Sequence, residues 1–377
     1  QTAYLKTFYK EEFIAASMST TLTNTSKLRE YVEELKRLKV EVIRPSINNC
    51  FAEFKAGKNK IFYGLGAIKS VGFEAISNIV SEREKNGKFK TFTDFINRTD
   101  PKDVNKLQLE GLVKAGAFDE IDINRKKLFE AIPKIIQTIK NKYEEKTSNQ
   151  KNLFDTISDK NNDIFEFDKT KPWTKKELLS EEFVSLGFYI SDHPLNEYKE
   201  FFTELEINSY KEFIEGDKSE SLVAGTIMSI QEKKSAKGNS YAIVKFSDNK
   251  SEFEIFLFSD LFISNREKLK ESNSFILTLH KDKKTGENNL IRVNIRKIVD
   301  LADLVNKTYE SVSIELDNRE KLKELNELLQ GKGETRINVI LKDSNKNYFF
   351  ELEKTRKFDF NLFSLIKNKE YVKKISF

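Results

Sequence analysis

The chain has 377 residues, with 65 Lys or Arg against 60 Asp or Glu and a net charge of +5. That is length enough for two or three separate cores, and no apolar run approaches the roughly 18 residues that would cross a bilayer, so no membrane role is expected. One cysteine, Cys50, and two histidines, His193 and His280, exclude an internal disulfide, a cysteine-rich zinc site and a histidine-based metal cluster; they fit a cytoplasmic protein.

Read from the N-terminus, "QTAYLKTFYKEEFIAASMST" has helical spacing through Tyr4, Leu5, Phe8, Phe13, Ile14 and Met18. Asn24 to Ser26 then read as the cap of a second helix, "KLREYVEELKRLKV", with Leu28, Tyr31, Val32, Leu35 and Leu38 on one face. The stretch Glu41–Gly66, interrupted by Pro45, reads as short strands and loop. Helices are predicted over 73–84, 105–115 and 124–142. From Glu144 to Glu177 the sequence is polar and aperiodic and reads as a surface linker, followed by a helix and a turn in "LLSEEFVSLGFYISDHPLNEYKEF". The first 150 residues carry the positive excess, a weak pointer to nucleic acid. Gln1 and a start inside an apparent helix suggest a piece of a longer protein, and no secretory leader is visible.

From about residue 220 the period changes to short alternating strands, "SLVAGTIMSIQEKK", "SYAIVKFSD", "SEFEIFLFS", "SFILTLHKDKK" and "NNLIRVNIRKIVDL", with a helical "DLFISNREKLKES" between the third and fourth. Five strands and one helix in that order predict a small closed barrel of the OB type. The tail over 308–377 reads strand, helix, two strands and a final helix. The fold class expected is therefore α+β and multidomain: a helical domain with helix-hairpin-helix motifs, an OB-like β-barrel and a small α/β C-terminal domain.

The glycines of "FYGLGAIKSVGFEAISNIV" raise the question of a phosphate cradle. Gly64 and Gly66 fit half of a dinucleotide fingerprint, but Lys69 stands where the third glycine belongs. A helix-hairpin-helix fits better: a short helix ends near Lys69, Ser70-Val71-Gly72 turns tightly with Gly72 at positive φ, and a second helix starts at once. Such a turn presents backbone N–H groups at a helix N-terminus, where an anion binds, and contacts confined to phosphate carry no sequence information. Val71 would plug the gap and Ala75, Ile76, Ile79 and Val80 would face the core. A second hairpin is expected where the helix over Lys106–Lys114 ends at Ala115-Gly116-Ala117, with Leu107, Leu109, Leu112 and Val113 as its packing. The expected DNA-contacting residues are Lys69, Ser70, Val71 and Gly72 in the first and Lys114, Ala115 and Gly116 in the second; helical hairpins also serve as pure scaffold.

These segments, with "LVKAGAFD", Asn124-Arg125 and "EEFVSLGFYISDHPLNEY" in the same order, resemble the C-terminal third of the alpha subunit of bacterial DNA polymerase III, the C-family of replicative polymerases. The resemblance covers nearly the whole chain and loosens past about residue 305. It implies the end of a fingers-like helical domain over 1–55 and tandem hairpins over 56–146. A linker with a connecting helix follows over 147–215, then an OB domain over 216–304 and a C-terminal α/β domain over 305–377. It also implies that "QKNLF" is a tether to the sliding clamp: Leu153 and Phe154 are bulky apolar residues in a polar segment, with Gln150 as hydrogen-bonding partner. By the same resemblance the OB domain would hold single-stranded template through Lys233, Lys234, Lys237 and Tyr241, with Phe246, Phe253, Phe256 and Phe258 mostly in the barrel interior. The tail would contact the clamp-loader tau subunit, as in some members.

Polymerisation in that family uses clustered aspartates that hold two Mg²⁺ ions. No such D-x-D cluster occurs here, and Asp119, Glu120 and Asp122 read as a local acidic patch. No catalytic residue, metal ligand or cofactor is expected in this chain; Mg²⁺ is expected of the parent polymerase. Two other readings stand beside this one, a free-standing DNA-binding adaptor with no polymerase half and a structural module whose hairpins touch protein.

Overall fold

The computed structural model describes residues 2–147, 165, 167–236, 238–283, 291–343 and 346–377. The chain divides into two compact units, Gln1–Asp192 and His193–Phe377.

The first unit opens with α1 (Thr2–Phe8), α2 (Lys10–Ser19) and α3 (Thr25–Arg37). Asn24 caps α3 by accepting the Lys27 N–H at 3.1 Å, as its sequence predicts, and Leu28, Val32 and Leu35 are buried. Leu38 falls one residue past the helix and is exposed, and α1 buries nothing, so Tyr4, Leu5 and Phe8 face outward rather than into the expected helix pair. The extended stretch forms a small sheet of β1 (Glu41–Ile43), β2 (Lys55–Gly57) and β3 (Lys60–Phe62) in the order β1-β3-β2.

Next come α4 (Phe73–Asn86), α5 (Phe92–Arg98), α6 (Lys106–Lys114), α7 (Arg125–Thr147) and α8 (Lys175–Leu186). They close on a phenylalanine cluster in which Phe95 meets Phe89 at 5.3 Å and Phe118 at 5.0 Å, both edge to face. Gln150, Leu153 and Phe154, the expected clamp tether, lie outside the described residues. Past them, Phe165 is buried on this unit, its N–H bonded to the Thr93 hydroxyl at 3.1 Å.

The second unit holds two cores. Short helices α9 (Lys199–Glu204) and α10 (Tyr210–Glu215) precede β4 (Glu220–Lys234), β5 (Ser240–Ser247) and β6 (Glu252–Leu257); α11 (Ser259–Asn265) leads to β7 (Ser274–Lys283) and β8 (Ile291–Asp300). The helix stands between the third and fourth strands, as expected. The five strands form an antiparallel sheet in the order β6-β5-β4-β7-β8, wrapped about Val223, Val244, Phe246, Phe275 and Leu277. Its outer strands β6 and β8 approach each other but share no ladder among the described residues, so the sheet is open where a closed barrel was expected.

After α12 (Leu301–Val305) the tail builds a second sheet from β9 (Ser311–Leu316), β10 (Lys332–Asp343), β11 (Lys346–Glu351) and β12 (Val372–Ser376), with α13 (Leu322–Leu328) and α14 (Phe360–Lys367). Its order is β11-β10-β9-β12; β9 and β10 run parallel, with α13 in the crossover that parallel pairing demands. The chain ends on a strand, not on the final helix that was expected: β12 pairs antiparallel with β9 across a register shift between Val372 and Lys374. Leu195, Phe201 and Phe202, placed in the connecting segment by sequence, belong to this core.

Candidate nucleic-acid interface

The hairpin at Lys69–Gly72 forms, with its conformational roles exchanged. The preceding helix is only a 3₁₀ turn, Leu65–Ala67, and the residue at positive φ is Ser70, at 65°, while Gly72 is extended at −78°. A non-glycine residue there carries a backbone cost on the order of 1 kcal/mol. A Cβ at Gly72 would lie 3.0 Å from Nε2 of Gln108, a tight approach to the end of a side chain. As N-cap of α4 it has no side chain to offer, so the first amides of α4 are left uncapped at an end carrying partial positive charge.

The turn is bolted down from behind. The Lys69 N–H donates to the Ser185 carbonyl at 3.0 Å and the Val71 N–H to Ile68 at 3.1 Å. Val71 is buried, as is the core face of α4 through Ile76, Ile79 and Val80; Ala75 is half-buried. Gly111 in α6 lets the turn lie directly on that helix, since a Cβ there would meet the Lys69 carbonyl oxygen at 2.7 Å. The outer side keeps Lys69 and Ser70 exposed, and Lys69 has no ion-pair partner among the described residues.

The second hairpin has the predicted helix, α6, begun by a capping box in which Asn105 and Gln108 bond each other's backbone at 2.9 and 3.1 Å. Leu109, Leu112 and Val113 are buried, but Leu107 is exposed because buried Gln108 occupies the inward position beside it. The turn's chemistry is already spent. Lys114 Nζ pairs with Glu181 at 2.9 Å, Ala115 is buried, and Gly116, at φ 80°, lies under the Arg125 guanidinium. Arg125 itself bonds the Lys114 carbonyl at 2.9 Å and Asp119 at 2.6 and 2.8 Å. Asp122 pairs with Lys127 and Glu120 accepts the Ser46 hydroxyl at 3.1 Å, so the acidic patch is a set of local braces. Burial raises the Cys50 thiol to about 11, which leaves it without thiolate near neutral pH.

The sheet of the second unit carries a different surface. Lys233 and Lys234 sit at the exposed end of β4, opposite Tyr241 and Ser240 of β5; Lys237 lies outside the described residues. Phe246 and Phe253 are interior, as expected, but Phe256 and Phe258 are 49% and 53% exposed. Tyr241, Phe256 and Phe258 line a groove of about 770 Å³ together with Arg292 of β8 and Tyr210, which stacks on Phe253 at 4.1 Å. Alternation could have revealed the two exposed rings. In "EFEIFLF" Phe253, Ile255 and Leu257 point inward, and Phe256 and Phe258 share the parity of charged Glu254. No group of acidic, histidine or cysteine side chains able to hold a metal ion occurs among the described residues, and no described helix is long and apolar enough to cross a membrane.

Comparison with known proteins gives the same picture for the first unit: residues 39–128 match the model of a helix-hairpin-helix motif. Along the whole chain the similarity is to proteins described as DNA polymerase III subunit alpha. The one from Borreliella burgdorferi is 32% identical over 95% of this chain and 31% of its own length. That from Buchnera aphidicola is 32% identical over 92% and 30%, and that from Campylobacter jejuni 34% identical over 68% and 22%. The chain thus spans about three-tenths or less of the relatives it matches.

Proposed function

As a member of the DNA polymerase III alpha subunit family, this chain, we propose, supplies the DNA grip and the clamp tether of a replicative polymerase, in the cytoplasm, while Mg²⁺-dependent synthesis belongs to the rest of the parent protein. The observation that carries the reading is the exposed turn Lys69–Gly72, whose uncapped helix N-terminus is held from behind by Gly111 and Ser185. Backbone amides and one free lysine bind phosphate without reading bases. Val71 acts from within as the plug of that turn. The second turn, with Lys114, Ala115 and Gly116 committed to internal partners, supports the first from α6 rather than gripping a second strand.

Titration of duplex DNA of mixed sequence with this chain tests the grip. Affinity is expected to be indifferent to sequence and to fall with salt along a log–log slope of about −1 to −3, at roughly −0.9 per phosphate neutralised. Lys69→Ala should make the slope shallower by close to one phosphate. A salt-independent or absent interaction would favour the scaffold reading, in which the hairpins touch protein.

The five-stranded domain, on this reading, takes single-stranded template across β5 and β6, the face that OB-type sheets use, with Lys233, Lys234 and Tyr241 as contacts and Lys237 beside them. The sliding clamp is engaged through Gln150, Leu153 and Phe154, and residues 305–377 meet the clamp-loader tau subunit. For the tether, the expected result is micromolar binding to the cognate clamp that vanishes in a Leu153→Ala/Phe154→Ala double variant; equal binding by both proteins would refute it.

A further inference from the structure

We propose that the groove on the five-stranded domain holds single-stranded nucleic acid by taking two consecutive bases into the gaps between three aromatic rings, with Phe256 as the shared middle ring. This rests on the reading of that domain as a single-strand binder and specifies how the strand is held.

The rings are arranged for it. Tyr241 and Phe256 are 6.4 Å apart between centroids at an interplanar angle of 26°, and Phe256 and Phe258 are 6.5 Å apart at 17°. Stacked bases follow one another at roughly 3.4 Å, so two near-parallel rings with one base between them need roughly twice that. The centroid spacings are wide enough to admit a flat base where the ring faces overlap, whereas rings in mutual contact, such as Tyr210 on Phe253 at 4.1 Å and 4°, stand much closer. Two such gaps in series suit two neighbouring bases of an unpaired strand. A duplex, whose bases are already stacked on each other, could enter only by unstacking.

The surroundings suit an anionic strand. Lys233 lies directly across from Tyr241 in the β4–β5 register and is exposed, as is Arg292 at the groove wall. Neither has an ion-pair partner among the described residues, whereas Lys245 nearby is held by Glu252 at 2.5 Å. Glu254 also lines the groove, so the phosphates would run away from it, toward Arg292 of the lining or toward Lys233 beside Tyr241. Phe256 and Phe258 spend half their surface on water, which no demand of the core explains.

The test uses the full chain and a short single strand carrying 2-aminopurine, whose emission is quenched on stacking. Quenching at two adjacent positions is expected, and Phe256→Leu, which keeps an apolar side chain but loses the flat ring, should abolish it at both. Tyr241→Leu and Phe258→Leu should each abolish it at one. Because it stacks on both bases, Phe256→Leu should be the costliest of the three, at tenfold or more in affinity. Replacing the two bases by abasic sites should cost a similar factor and add little in the variant, because ring and bases act as one unit. Binding with unchanged 2-aminopurine emission would overturn the sandwich and leave the single-strand reading standing. If the wild-type chain shows no single-strand affinity even at low salt, both fall together.

Discussion

Gly111→Ala is expected to destabilise the first unit by about 2 kcal/mol and to cost duplex binding, although alanine is the better helix former. Replacing an exposed helical glycine by alanine stabilises by roughly 1 kcal/mol. At Gly111 the new methyl would meet the Lys69 carbonyl at 2.7 Å and Val71 Cγ2 at 3.3 Å. The first neighbour is backbone and cannot rotate away, so either α6 or the hairpin moves. Overpacking of this kind costs about 1–3 kcal/mol and often more when the obstacle is main chain. The displaced segment is the turn that carries Lys69 and Ser70, so duplex affinity should fall with stability while quenching in the groove of the other unit persists. Urea unfolding and duplex titration measure both. A variant more stable than wild type, with unchanged affinity, would show that the turn does not rest on α6 as described.

Lys281→Met should be worse still for the second unit. Lys281 is 3% exposed, and its ammonium donates to the carbonyls of Phe213 at 2.6 Å, Ile214 at 3.2 Å and Gly216, closing the C-terminal end of α10. Hydrogen bonds from a charged donor contribute roughly 1.5–3 kcal/mol, and the carbonyls orphaned by its loss add to the cost. Methionine fills the volume without replacing a donor, so a loss of about 3 kcal/mol is expected. α10 carries Phe213 into the core and Tyr210 onto Phe253, so its release should also disturb the groove. Calorimetry reads the first effect as a lower melting temperature for this unit, and 2-aminopurine the second. A change under about 0.5 kcal/mol, the range of ordinary surface substitutions, would mean that water can take the lysine's place.

Much of the first unit was legible because period and caps agree. The runs behind α3, α4 and α6 place Leu28, Ile76 and Leu109 inward, and Asn24 caps where a cap was expected; Asn105 caps α6 just ahead of the helix start. The turn at Lys69–Gly72 was located, but its φ values were assigned to the wrong residue. Glycine permits positive φ without requiring it, and here Gly72 is extended while Ser70 takes the positive φ and bears the strain. Leu107, expected to pack, is exposed, while Gln108 is buried as part of a capping box that satisfies its hydrogen bonds. β12 was missed since "VKKIS" has two exposed lysines and no clean alternation; only its partner β9 makes it a strand. The groove was half-read. Of the four phenylalanines expected mostly in the interior, Phe256 and Phe258 lie outside, at the parity of Glu254.

The ion pair of Lys114 with Glu181 bears on affinity. A protein whose basic residues are neutralised internally releases few counterions on meeting DNA, so each encounter is held shallowly and let go quickly. On the proposed grip, Lys114 held by Glu181 would release no counterion of its own, so the second turn would add little salt-dependent affinity to what Lys69 supplies.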